Sequence, residues 1–217
     1  MEGDALDRDA RIKLSIGTNQ KGDADGQFDS LRALEFDHHR GLLLVADTSN
    51  NRVQVFSCDD DDNGGSFVSK FGSFGKQPGH FFCPASIIPD YDHDRMLISD
   101  SFNHRVQVWS LSDQSFLSSV GQRGSGDLEF KFPQGIAIDK HHHRIIIVDS
   151  GNNRLVFLSS IDLSFLFSVG SQGPQPCEFN YPSSIAIDDD RHRIIVTDSF
   201  NNRVQVLSSI DGSFLFE

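Results

Sequence analysis

The segment Val45–Ser57 reads VADTSNNRVQVFS, two β-rich runs separated by an Asn-rich turn. It recurs three times, as ISDSFNHRVQVWS from Ile98, IVDSGNNRLVFLS from Ile147 and VTDSFNNRVQVLS from Val196. The aspartates Asp47, Asp100, Asp149 and Asp198 stand 53, 49 and 49 residues apart, and Phe28, Phe81, Phe130 and Phe179 keep the same intervals. Pro84, Pro133 and Pro182 follow suit, with Leu31 in their place in the first unit. The extra residues of the first interval fall between Arg52 and Ser66, where DDDDNGG replaces a shorter turn. Self-similarity at a fixed period of this length marks a repeat architecture.

Each unit carries four strand signals and almost no helical periodicity. In the third unit Gly135–Asp139 is a short β-branched run, closed by the polar turn KHHH. Ile145–Asp149, Arg154–Ser159 and Ser164–Val169 follow as further strands, and a Gly-rich connection leads on to Phe179. Four short antiparallel strands per unit describe a propeller blade, which needs neighbours on both faces. That requirement explains apolar runs such as IIIV and LLLV where a half-exposed strand would alternate.

The pattern G-x-F-x-x-P-x-x-I-A-x-D, then I-x-V-x-D-S-x-N-N-R-V-Q-V, then F-L-x-x-x-G resembles the NHL repeat. It stands here as EFKFPQGIAID from Glu129 and VDSGNNRLVF from Val148, and the resemblance covers nearly the whole chain from about residue 11. It implies an all-β NHL-type β-propeller, usually of six blades. The spacing itself predicts four four-stranded blade repeats, about 26–78, 79–127, 128–177 and 178–217, behind an acidic tail over residues 1–10. Gly17 matches Gly72, Gly121 and Gly170, so ARIKLSIG predicts one extra N-terminal strand, and SFLFE at the other end offers the same strand. Either four blades close with a spare strand, which then predicts a dimer contact, or the chain is a window on a longer array. The second is the expectation, because six such blades need roughly 290 residues.

The 217 residues hold 19 Lys plus Arg against 31 Asp plus Glu, a formal charge of −12. That balance argues against a nucleic-acid or anionic-membrane binder, whose affinity rests on cations. Cys58, Cys83 and Cys177 form no C-x-x-C pair, so neither a disulfide framework nor a zinc module is expected. Met1–Lys13 is acidic and lacks the apolar core of a secretory signal, and no apolar run is long enough to span a membrane. The expected compartment is the cytosol or nucleus.

Residues that recur in every unit are expected to serve the fold. The turn aspartates Asp47, Asp100, Asp149 and Asp198 suit Asx-turns, and Asn tolerates left-handed backbone. Arg52, Arg105, Arg154 and Arg203 are expected to pair with these aspartates through a bidentate fork. A ring of four Arg binding an anion is the weaker alternative. Strand alternation puts the turns after first and third strands on one side, and the D-S-x-N-N-R turns with the Gly-rich links on the other.

Residues that break the repeat on this second side are the candidates for a partner-binding face: Phe74, Phe102, His104, Arg123, Lys131 and Phe200. An aromatic at the third turn position either anchors an interface or packs between blades. Seven of the nine histidines lie in the first-side turns, His38, His39, His93, His141, His142, His143 and His192, and turns of different blades are not expected to converge on a metal. The run from Asp59 to Gly64 matches half of a calcium loop, but Lys70 stands where the bidentate Glu belongs, so a solvated acidic turn is expected. No nucleophile elbow, P-loop or dinucleotide fingerprint is present.

Three functions follow. The first is a noncatalytic scaffold for a protein or peptide partner, with no metal and no cofactor. In the family such propellers often form the substrate-recognition part of ubiquitin ligases that carry a separate RING. The second is RNA binding, which some NHL propellers perform with a basic face; here Lys21, Lys76, Arg123 and Lys131 are mixed with Asp23, Asp25, Asp127, Glu129 and Glu178. The third is a metal-dependent lyase or lactonase-like enzyme with ligands in the central channel. The first strands LRALEF, ASIIP, GIAID and SIAID offer Glu35 as the one mid-strand charge, too few polar ligands for that chemistry.

Overall fold

A computed structural model describes residues 15–18, 20–58 and 65–216. The acidic tail, most of the extra N-terminal strand and the Asp59–Gly64 turn lie outside them. Within them the chain folds into four blades, each a four-stranded antiparallel sheet whose strands run in chain order. Blade 1 holds β1 (Leu31–Asp37), β2 (Leu42–Asp47), β3 (Arg52–Ser57) and β4 (Ser66–Phe71). Blade 2 holds β5 (Pro84–Asp90), β6 (Arg95–Asp100), β7 (Arg105–Ser110) and β8 (Phe116–Val120).

The link to blade 3 contains β9 (Gln122–Arg123) and β10 (Glu129–Phe130), a short parallel pair. Blade 3 is β11 (Pro133–Asp139), β12 (Arg144–Asp149), β13 (Arg154–Ser159) and β14 (Phe165–Val169). The same parallel pairing recurs as β15 (Ser171–Gln172) with β16 (Glu178–Phe179). Blade 4 follows as β17 (Pro182–Asp188), β18 (Arg193–Asp198), β19 (Arg203–Ser208) and β20 (Phe214–Phe216). The Gly-rich links are therefore structured, and isolated parallel bridges Lys21–Phe28 and Phe74–Phe81 repeat the device in the first two units. The first strand of blade 3 starts at Pro133, two residues before the expected Gly135. A register shift between Pro133 and Ile136 lets the chain bend onto the axis.

The core lies between blades. Leu44, Val53 and Val55 of blade 1 meet Ile87, Ile98 and Trp109 of blade 2. Leu97 and Val106 on the opposite face of blade 2 meet Ile136, Ile147 and Val156 of blade 3. Ile146, Leu155 and Phe157 then meet Ile194, Val196 and Leu207 of blade 4. Strand side chains alternate between faces, so the middle strands of an inner blade each feed two cores. The recurring Phe seals each border from the second side, against a recurring glycine. A Cβ on Gly121, at φ +99°, would fall 2.3 Å from a Phe130 ring carbon.

Two latches cross each border in one direction. On the second side, Asn51 Oδ1 accepts from Cys83 N–H at 2.9 Å and Asn153 Oδ1 accepts from Tyr181 N–H at 2.8 Å. His104 Nδ1 fills the same role for Phe132 N–H at 3.1 Å. On the first side, Arg40 donates to the Leu111 carbonyl, Arg95 to that of Ser160, and Arg144 to those of Ser209 and Ile210 at 3.0 and 2.9 Å. Among the described residues no blade covers the outward faces of blades 1 and 4. Leu34 is 69% exposed there while its repeat counterparts Ile87 and Ile136 are each 4% exposed. Val204 is 45% exposed, whereas Val53, Val106 and Leu155 are buried.

Candidate interaction face

The D-S-x-N-N-R turn builds the second side. In blades 2, 3 and 4 it forms a single 3₁₀ turn and in blade 1 a plain turn, and all four end on a left-handed residue, Asn51, His104, Asn153 or Asn202, at φ 54–58°. Asp100 is fully buried and uses both oxygens: Oδ1 accepts from Phe82 N–H at 2.7 Å, and Oδ2 accepts from Asn103, Arg105 Nε and Gln107 at 2.8–2.9 Å. This corrects the Asx-turn expectation, since the backbone N–H it takes comes from the link before its own blade. Arg105 also departs from the expected bidentate fork. Only its Nε meets the carboxylate, and its other N–H groups hold the carbonyls of Lys76, Gln77 and His80.

The pairs Arg52–Asp47, Arg154–Asp149 and Arg203–Asp198 repeat the Nε contact at 2.8–2.9 Å. Link carbonyls without a ladder partner need donors, which is where the rest of each guanidinium goes. The four Arg side chains are only 8%, 11%, 12% and 16% exposed, a poor surface for an anion crown.

One unit lacks a member of this network. Val156 stands where the others carry Gln54, Gln107 and Gln205. Burial, no longer offset by a Gln donor, pushes the Asp149 carboxyl above the usual range. At Asp198, on the outer blade and less enclosed, burial pulls upward less. There the donors Asn180, Arg203, Asn201 and Gln205 together outweigh it, and the group lies below its ordinary value.

Above this floor, at the border of blades 2 and 3, lies a cavity of about 380 Å³ lined by Lys76, Phe82, Phe102, Asn103, His104 and Arg123, with Arg105 behind. The Phe102 N–H donates to the Phe82 carbonyl at 3.0 Å, which sets one ring over the other at 5.0 Å. The rings continue as a chain: Phe74 to Phe82 at 5.2 Å, Phe102 to Phe132 at 5.2 Å, and His104 to Phe132 at 4.7 Å. Phe102 thus lies over the border and still leaves 44% of its surface to solvent, while Phe74 leaves 66%.

Partial burial lowers the basicity of His104, and the positive charges of Arg123, Lys131 and Lys76 lower it further. None of these three cations makes an ion pair among the described residues. On blade 1, by contrast, Lys21 is paired with Asp29 at 2.8 Å and Lys70 with Asp25 at 2.6 Å. The mixture of charges along the sequence therefore separates in space.

Two family models match the chain, one described as a 6-bladed beta-propeller over residues 86–166 and one as an NHL repeat over residues 179–207. The matches cover blades 2 and 3 and most of blade 4 in turn. Together the two matches support an NHL-repeat propeller family for this chain. No curated protein matches it. An NHL propeller supports a protein-interaction scaffold in general. The described residues form four blades, and the matching propeller family is six-bladed.

In this NHL chain Phe102, His104 and Arg123 line one cavity, Lys131 and Phe74 flank it, and Phe200 stands apart. Phe200 is on blade 4, stacked on Tyr181 at 5.1 Å. Phe82 and Phe132 escaped the sequence reading. Their signal was present, because Phe82 replaces Asp29, Lys131 and Asn180 of the other units, and Phe132 replaces Ser30, Cys83 and Tyr181.

The other side brings histidines closer than expected. His141 and His142 approach His192 of the next blade at 5.3 and 6.0 Å between ring centres, because the Arg144 latch draws the two turns together. His93 and His142 are each held by an aspartate of their own turn, Asp90 or Asp139. Among the described residues no three His, Cys, Asp or Glu side chains gather as a metal set. The central channel is lined by Arg32, Ala33, Ser86, Gln134 and Ser183, among others. Arg32 was overlooked as a mid-strand charge; it reaches across the channel to Gln134 at 3.4 Å. Glu35 is half-buried, and desolvation raises its pKa.

Proposed function

We propose that this chain is a noncatalytic interaction module that holds a segment of a partner protein on the second-side face of blades 2 and 3. The observation that carries this reading is the aromatic run Phe74–Phe82–Phe102–Phe132 beside a cavity at a sheet border, with Phe74 and Phe102 exposed. Aromatic side chains that stay exposed on a well-fixed turn are typical binding anchors. Such a module suits the substrate-recognition part of a ubiquitin-ligase system, with the effector supplied from outside residues 1–217. Among the described residues no helix is long and apolar enough to cross a membrane.

Affinity purification with quantitative mass spectrometry tests this, comparing the wild type with Phe102→Ser and with Phe200→Ser as a surface control. Purified candidates lost with Phe102→Ser alone must then rebind the wild type directly. Identical recoveries from all three proteins overturn the reading. RNA is the second reading, favoured by cations set among stackable rings. Three unpaired cations on a chain of net charge −12 are a small electrostatic footprint for a polyanion.

A further inference from the structure

The blade 2–3 cavity also carries information about the chemistry of its occupant. Its floor and one wall are aromatic, from Phe82 and Phe102, and its rim carries Lys76 and Arg123, with Lys131 at the same border. Elsewhere on this side the chain neutralises its own cations, as Lys21 with Asp29 and Lys70 with Asp25. Of the acids nearest the cavity in sequence, only Asp100 has its charge matched by a cation. Asp100 is buried in the Arg105 network, and Glu129 accepts from Ser125 and Gly126 N–H groups and from Gln122. Asp127 remains exposed on the same link. At His104 the charges of Arg123, Lys131 and Lys76 outweigh that of Asp100, so the field there is positive on a chain that is negative as a whole.

We infer that the occupant is an acidic peptide segment whose carboxylates meet Arg123, Lys131 and Lys76 while one apolar side chain enters between Phe82 and Phe102. This rests on the reading of that face as the protein-docking surface. Charge complementarity selects the sign of the partner. Range selects its size, since a field screened within about 8 Å at physiological salt holds a short segment and not a long polyanion crossing an acidic surface. A cavity of about 380 Å³ accepts a single large side chain with room to spare.

The test is selection of a random displayed peptide library on the purified chain. The recovered peptides are then measured by fluorescence anisotropy against wild type, Phe102→Ala and Arg123→Glu/Lys131→Glu, with circular dichroism confirming the fold of each. Both charge-reversed residues lie outside the blade cores, and Lys76→Glu provides an independent reversal. The expected result is enrichment of Asp and Glu around an apolar residue, with about tenfold or greater loss of affinity on charge reversal. Raising ionic strength weakens wild-type binding.

Peptides that need Phe102 but are neutral or basic overturn this inference and leave the docking face standing. Peptides indifferent to Phe102→Ala, or no enrichment at all, overturn the docking face and the inference with it. An oligouridine RNA that displaces the selected peptides and is itself lost on charge reversal assigns the site to nucleic acid instead.

Discussion

His104 Nδ1 accepts the backbone N–H of Phe132 across the border of blades 2 and 3, at the position where the flanking borders use an Asn oxygen. An accepting Nδ1 carries no proton, so the ring is neutral with its hydrogen on Nε2. The bond and the surrounding cations agree, since both oppose a second proton.

The first prediction concerns pH. His104 has a folded-state pKa below its ordinary 6.5, so its contribution to stability is complete above that value. As pH falls below it the unfolded chain gains a proton that the folded chain refuses, and stability declines. His104→Asn restores the residue used at the other borders and removes this titration. Urea unfolding at several pH values should give the variant a shallower loss of stability below pH 6.5 than the wild type. Parallel profiles for the two proteins would refute the assignment.

Arg105 compensates a carboxylate that has no contact with water. Arg105→Ala leaves Asp100 buried without its cation and frees three link carbonyls, which should cost about 3–5 kcal/mol. Chemical denaturation measures it directly. A loss below about 1 kcal/mol would mean that the pair behaves as a surface ion pair.

Gly121 combines a positive φ with a Phe130 ring where a Cβ would sit. Gly121→Ala should destabilise the fold by more than about 1 kcal/mol. Gly126→Ala, whose Cβ would meet only the flexible Glu129 carboxylate at 3.2 Å, should be close to neutral. The comparison is a pair of thermal melts.

Gln205→Val copies onto blade 4 the substitution that blade 3 carries at Val156. The Asp198 carboxyl then loses the donor that helps to hold its pKa below the ordinary value, and should move upward, as Asp149 has. Carboxyl NMR titration reads the shift. In the wild type this group contributes stability above its unfolded pKa that is lost as pH falls through the folded pKa. In the variant that contribution shrinks, so stability falls less as pH drops through the carboxyl range.

The blade repeat was legible because strands and their turns recur on a clock. The D-S-x-N-N-R turn announced itself by recurrence, and its Arg–Asp pairs follow from matched charges at a fixed offset. Hydrogen-bond geometry was not legible, since the partners of Arg105 lie 25 to 29 residues away in a link with no strand signal. The cavity proposed as an interaction face was half legible. Phe102, His104 and Arg123 stood out as breaks in the repeat, but Phe82 hides one residue past the recurring Phe81 and Phe132 one residue before the recurring Pro133. Only the turn of the sheet brings rings 20 to 50 residues apart into one run, from Phe82 through Phe102 to Phe132.

Because every latch has its acceptor on one blade and its donor on the next, or the converse, each unit arrives with half of two different fastenings. A unit copied in tandem would meet its predecessor and its successor already matched, with no new border to evolve. Border recognition is in this sense blind to how many units it joins. What counts them is the wedge angle between adjacent sheets, a property of side-chain bulk in the cores, where exchanging large for small residues would open or tighten the arc.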